Sequence, residues 1–290
     1  MHYNRTFARI IISFFRAKTF KALIPGLIVA CLYTALLVWL GGDIITKELR
    51  IAPFIYQLVG IVLGLLLVFR TNTAYERWWE GRKLLGALVN STRNLAMKLH
   101  AFLPENDIET RKYFTHLIIN FAFALKEHLR QGVKFEELDE TNPPSLDKLQ
   151  KVRHVPNKIA SLIFQTVHQL HQNNSLKAEH LMVLNPQLEA LTDITGACER
   201  IKKTPIPHAY RVHLLKFVFL FISLLPLGLV SDMKYWSLIV VAMIFYAFVG
   251  LDFIANEIED PFGDDANDLP TDAICNGIKD TVSEIFQHEK

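Results

Sequence analysis

Cysteine and net charge are both scarce in this chain. Its 290 residues hold three cysteines, Cys31, Cys198 and Cys275, far apart and with no CxxC among them. That spacing excludes a disulfide framework and a thiolate zinc site. Basic residues outnumber acidic ones by only 2, and no Lys/Arg stripe is interleaved with aromatics, so a nucleic-acid partner is not expected. No GxSxG, Walker A, HExxH or strand-borne GxGxxG occurs, and the chain is not read as an enzyme. Strand alternation, internal repeats and low-complexity tracts are missing as well. The apolar run Ala22–Leu40 is too long for the core of a secretion signal, and no small-residue cleavage site follows it. It is expected to be retained as a span, with Cys31 as a small buried hydrophobe within it.

Apolar length is what the chain has in quantity. Hydrophobic residues make up 51% of it, and they are gathered into long runs. Four runs, Ala22–Leu40, Ile51–Phe69, Leu214–Val230 and Trp236–Ile254, come near the roughly 20 residues a membrane-crossing helix needs. Trp39, Trp78, Trp79 and Trp236 lie near their ends, where interface anchoring accounts for them. Arg5, Arg9, Arg16, Lys18 and Lys21 precede the first run. Arg70, Arg77, Arg82, Lys83, Arg93 and Lys98 follow the second, and Arg200, Lys202, Lys203 and Arg211 precede the third. Segments 41–50 and 231–235 carry only Lys47, Arg50 and Lys234. Cytoplasmic loops are rich in Lys and Arg, so both termini and the middle of the chain are expected in the cytoplasm.

The expected fold is therefore an all-α membrane protein with a helical cytoplasmic region. Its parts are a cytoplasmic segment 1–21, two spans in 22–69, a helical cytoplasmic region 70–210, two further spans in 211–255 and an acidic cytoplasmic segment 256–290. Helical periodicity is clear over Arg77–Leu103 and Lys112–Leu129, where Phe114, Leu117, Ile118, Phe121 and Leu125 share one face. Further helices are expected over Lys158–Gln172 and Leu176–Lys202, the latter with a break or start near Pro186. Gly132–Asn157, with Asn142-Pro143-Pro144 and Pro156, reads largely as loop.

The second run has a distinctive surface. Ile61, Leu65 and Phe69 recur every four residues and form one stripe. Beside them Gly60 and Gly64 form a small-xxx-small pair that lets another helix come close. Arranged around an axis, such a stripe is a hydrophobic constriction, which dewets and suits a gate. Lipid or a neighbouring helix would also accept it.

The segment that follows, Phe69-Arg70-Thr71-Asn72-Thr73-Ala74-Tyr75-Glu76-Arg77-Trp78-Trp79-Glu80-Gly81-Arg82, resembles the second-span exit of the bacterial bestrophins. Their neck residues lie eight, twelve and sixteen positions before the Arg-Trp-Trp core, which gives Phe69, Leu65 and Ile61 here. Ile206-Pro207-His208-Ala209-Tyr210 resembles the family's approach to the third span, and Asp260-Pro261-Phe262-Gly263-Asp264-Asp265 its segment after the fourth. The resemblance implies a homopentamer around a central pore in a bacterial inner membrane. It also implies passive conduction of small monovalent ions, usually chloride, through a neck of Ile61, Leu65 and Phe69. Arg77, Trp78 and Trp79 would be structural supports. No cofactor is required, but Asp265 and Asp268 match positions that hold Ca²⁺ in animal relatives. Here Ala266 and Asn267 interrupt the acidic run, which reads more as a solvated turn capping the following helix than as a calcium loop.

Ion sign stays open. A helix start at Pro53 and the charge of Arg70 favour anions, while Asp43, Glu48, Glu76 and Glu80 favour cations. A membrane-anchored scaffold without conduction is the alternative from another class. His168 and His171, at i, i+3, with His180 nearby, are a weak metal pattern that lacks a clear third ligand. Asp252, an acid inside the fourth run near its cytoplasmic end, is either functional, reaching the interface, or paired with an arginine.

Overall fold

The computed structural model describes residues 18–40, 53–139 and 149–287. Asp43, Glu48, Asn142-Pro143-Pro144 and the basic residues Arg5, Arg9, Arg16, Lys47 and Arg50 lie outside the described residues. Among those described, eight α-helices and one 3-10 turn (Phe135–Glu137) are present and no strand. The helices are α1 (Lys18–Trp39), α2 (Pro53–Phe102), α3 (Ile108–Leu129), α4 (Val155–Gln172), α5 (Ala178–Lys203), α6 (His208–Met233), α7 (Trp236–Glu259) and α8 (Thr271–Phe286). They divide into two compact units. Unit 1 takes residues 1–76 and 206–259, and unit 2 takes residues 77–205 and 260–290.

Four helices are long and apolar enough to cross a membrane: α1, the N-terminal part of α2, α6 and α7. In unit 1, α7 packs on α1 and α6, and α6 also packs on α1. The core is built from Ala30, Leu63, Leu67, Leu214, Val218, Phe221, Leu225 and Val241. Phe221 stacks on Phe248 with ring centroids 5.6 Å apart. Gly228 matters because Tyr56 lies where a Cβ would project, and the Tyr56 hydroxyl donates to the Leu224 carbonyl at 3.1 Å. A side chain at residue 228 would push that ring off α6.

Two helices run further than the sequence suggests. The second apolar run and the Arg77–Leu103 segment form one helix of 50 residues. Pro53 opens it, where the missing N–H costs nothing, and no proline follows. α5 passes through Pro186 without a break. That proline is exposed, so water can satisfy the carbonyl it leaves unbonded, while Leu184, Leu188 and Leu191 anchor the opposite face.

Unit 2 packs α3 against α4, α5 and α8. Leu88, Leu95 and Leu99 of α2, Phe114 and Phe121 of α3, Ile163 of α4, Leu191 of α5 and Ile278 of α8 belong to its core. Charge is buried there as well. The Lys126 and Glu127 side chains are 3% and 1% exposed and lie 3.1 Å apart. Lys126 Nζ also donates to Glu137 at 2.5 Å and Asp272 at 2.7 Å. Arg130 Nη2 donates to Asp272 Oδ2 at 2.7 Å, and Lys134 lies 3.1 Å from Glu127. Burial alone would lower the Lys126 pKa, but its hydrogen bonds to Asp272, Glu137 and Glu127 outweigh that and hold it above the ordinary value.

Breaking a buried pair strands a charge and costs about 3–5 kcal/mol. Lys126→Met should therefore lower the thermal midpoint of the purified protein sharply, read by circular dichroism. An acid limb is expected too. Hydrogen bonds from Arg130 and Lys126 hold the Asp272 carboxyl at about 2, below its ordinary 3.8. A carboxylate depressed in the folded state stabilises above its unfolded pKa and loses that contribution as pH falls. Acid titration should erode stability as pH drops from 3.8 toward about 2, and Asp272→Asn should flatten that limb.

Candidate pore helix and its supports

The buried face of α2 in unit 1 is Leu63, Leu67, Arg70 and Ala74. The opposite face is the stripe. Ile61, Leu65 and Phe69 are 63%, 54% and 62% exposed. After Phe69 the exposed residues turn mostly polar: Asn72, Thr73 and Glu76, with Tyr75 among them. The helix thus shows an apolar band followed at once by a polar one. The two glycines part company. Gly60 lies against Phe221 of α6, with its would-be Cβ 3.5 Å from the ring, so it serves packing within the chain. A Cβ on Gly64 would meet nothing within 4 Å among the described residues.

Arg70 does not edge the exposed band as the sequence suggests. It is fully buried. Its Nε donates to Asp252 Oδ1 of α7 at 2.8 Å, and its Nη2 to Glu259 Oε2 at 3.4 Å. The other oxygen of Glu259 accepts the Ile206 backbone N–H at 2.9 Å. Nη1 is buried without a hydrogen-bond partner among the described residues. Asp252 is accordingly the partner of an arginine, at the end of its apolar run. A guanidinium cannot be deprotonated in a protein, so in an apolar setting it must be paired. The pair therefore fixes which way α2 is turned, and Phe69, the next residue back, is turned outward with it.

In unit 2 Arg77 and Trp78 both donate to backbone carbonyls. Arg77 donates to the carbonyls of Thr204 at 2.5 Å and Ile201 at 2.6 Å, capping the end of α5. Trp78 Nε1 donates to the Asn267 carbonyl at 3.0 Å. Trp79 is 48% exposed. Gly81 admits the Pro-Phe-Gly segment: a Cβ there would lie 3.2 Å from Phe262 and Leu269 and 3.3 Å from Pro261.

Several groups of the acidic turn meet donors of the protein itself. Asp268 Oδ2 accepts the Asp265 backbone N–H at 2.6 Å, and that oxygen fills the space beside Gly263. Asp260 pairs with Lys202 at 2.6 Å, and Asp264 with Arg130 at 3.1 Å. Asp265 is exposed. Calcium needs six to eight oxygens gathered around one point; here Asp260 and Asp264 each face a protein cation, and one oxygen of Asp268 is folded onto the turn. His168 hydrogen-bonds Gln172, His171 meets the Leu176 carbonyl, and His180 stacks on Phe102 at 4.2 Å, so these three histidines do not converge.

The family model described as Bacterial/Fungal Bestrophin protein matches residues 2–284. A voltage-dependent anion channel-forming protein of Nostoc sp. is 40% identical over 78% of this chain and 75% of its own length. A voltage-dependent anion channel-forming protein of Escherichia coli K12 is 35% identical over 80% of this chain and 75% of its own. A crystal structure of a bacterial bestrophin homolog from Klebsiella pneumoniae matches with TM-score 0.85 and 28% identity, over 92% of this chain and 100% of that one.

Asp252→Leu should strand the Arg70 charge and cost about 3–5 kcal/mol, visible as a lower melting temperature of detergent-purified protein by fluorescence size exclusion. The double variant Arg70→Leu with Asp252→Leu should recover most of that loss, since an apolar pair of similar volume often replaces a buried ion pair without penalty.

Proposed function

This chain belongs to the bacterial and fungal bestrophin family, and from that premise we propose that it is a passive anion channel, conducting chloride, of a bacterial inner membrane. Subunits assemble as a homopentamer with lipid around them and both termini in the cytoplasm. Ile61, Leu65 and Phe69 of each copy form a hydrophobic neck on the axis. The observation that carries the reading is the unpartnered apolar stripe, its direction fixed by the Arg70–Asp252 pair and its spacing that of the family's neck. Exposed aliphatic and aromatic side chains at a constriction let water leave, and an ion must then shed hydration to pass.

The anion assignment draws its support from the relatives named as anion channel-forming proteins. One observation favours the monovalent cation reading. With Arg70 buried, the charged side chain exposed next to the neck within unit 1 is Glu76. This proposal assigns no role to calcium; Lys202 and Arg130 pair with Asp260 and Asp264 of the acidic turn, beside the Asp265 and Asp268 that match the calcium positions.

Planar-bilayer recording under a KCl gradient separates these readings. The reversal potential should approach the chloride equilibrium potential; a value near that of potassium overturns the ion choice and keeps the channel. Folded, inserted protein with no current supports the scaffold alternative instead. Replacing Ile61, Leu65 and Phe69 together by alanine should raise conductance or abolish closure. Unchanged conductance and gating would remove the neck.

A further inference from the structure

Unit 2 contains a convergence of ligating side chains that the neck does not use. His128 in the last turn of α3, His154 just before α4 and Glu199 near the end of α5 meet with their donor atoms all within 4.8 Å of one another. Both imidazoles address the same oxygen: His128 Nε2 lies 2.7 Å and His154 Nε2 2.6 Å from Glu199 Oε1. The rings lie 4.5 Å apart, centroid to centroid. The side chains are 23%, 29% and 18% exposed, so the cluster is set into the protein yet reachable from solvent.

We infer that His128, His154 and Glu199 form a site for a divalent transition metal of zinc's class. Two imidazole nitrogens and one carboxylate oxygen are a recognised three-ligand set for that ion, with a fourth position left to water. Imidazole nitrogens disfavour calcium and magnesium, which take oxygen. Glu199 offers the oxygen that both imidazoles already address. Lys203 holds the other oxygen at 2.8 Å, but its side chain is 66% exposed and can swing away. Cys198 is not among the side chains whose ligand atoms converge there.

Loading has a structural consequence. Without metal, His154 Nδ1 accepts the Asn157 backbone N–H at 3.2 Å and caps α4, which leaves the proton on Nε2 as a donor to Glu199. A metal on Nε2 requires that proton to be lost and Nδ1 to carry one, so the cap bond is exchanged for the metal bond. The metal then ties the end of α3, the start of α4 and the end of α5 through one atom. Its role is to clamp the helices of unit 2.

The test uses the full-length, tag-free protein in detergent, stripped with chelator and titrated with Co²⁺ or Zn²⁺ alone. Co²⁺ should give the visible bands of a four- or five-coordinate site, saturate at one per chain and be displaced by Zn²⁺. Zn²⁺ should raise the melting temperature where Mg²⁺ and Ca²⁺ do not. His128→Ala and Glu199→Gln should each weaken binding by at least about tenfold. His154→Asn should do the same while keeping an acceptor at the helix cap, so its loss of binding cannot be put down to the cap. His168→Ala with His171→Ala, away from the cluster, should bind as before. Absence of the cobalt bands in the unaltered protein, equal affinity in the three ligand variants, or equal stabilisation by Mg²⁺ would each overturn the site.

Discussion

A guanidinium buried beside apolar helices has to find its counter-charge inside the protein, and Arg70 finds it on α7. Its Nε sits 2.8 Å from Asp252, with Glu259 as a second acceptor. The cost of burying Arg70 without Asp252 exceeds what any single apolar contact returns, so the rotation of α2 in unit 1 is set by this pair more than by Leu63 or Leu67. With that face turned inward, Ile61, Leu65 and Phe69 have no place to go but outward. The proposed neck is thus a consequence of a charge that the pore itself never meets.

Unit 2 follows a related logic with different chemistry. Its core is apolar, but the α3 segment Lys126-Glu127 is buried with it and demands partners from α8 and from the 3-10 turn. Arg130 reaches both Asp264 and Asp272, which places the acidic turn and the first turn of α8 under the same cation. Asp260 and Asp264 of the acidic turn and Asp272 just after it are here partners of lysine and arginine.

The long apolar helices were legible because an apolar run is local, and the stripe because i, i+4 spacing is local. The Arg-Trp-Trp segment could be matched for the same reason. What escaped was distant pairing. Arg70 and Asp252 are 182 residues apart, and no periodicity links them; an acid within an apolar run was the one signal available, and it named Asp252 without its partner. The histidines teach the same lesson in reverse. His168 and His171 drew notice by spacing and go separate ways, whereas His128, His154 and Glu199 come from three elements and share no spacing at all. Pro186 misled because a proline break is a local rule, and three buried leucines on the far face of α5 outweigh one missing hydrogen bond.

The most direct measurement of the central account is thiol accessibility along α2 during current recording. Single cysteines would be placed in a background free of Cys31, Cys198 and Cys275 and treated with a charged, water-soluble thiol reagent. Cysteine at 61, 65 or 69 should react and change the current, while cysteine at 63 or 67 should not. Modification at 63 and 67 with silence at 61, 65 and 69 would mean that α2 presents its other face to the ion path, and the account would be wrong.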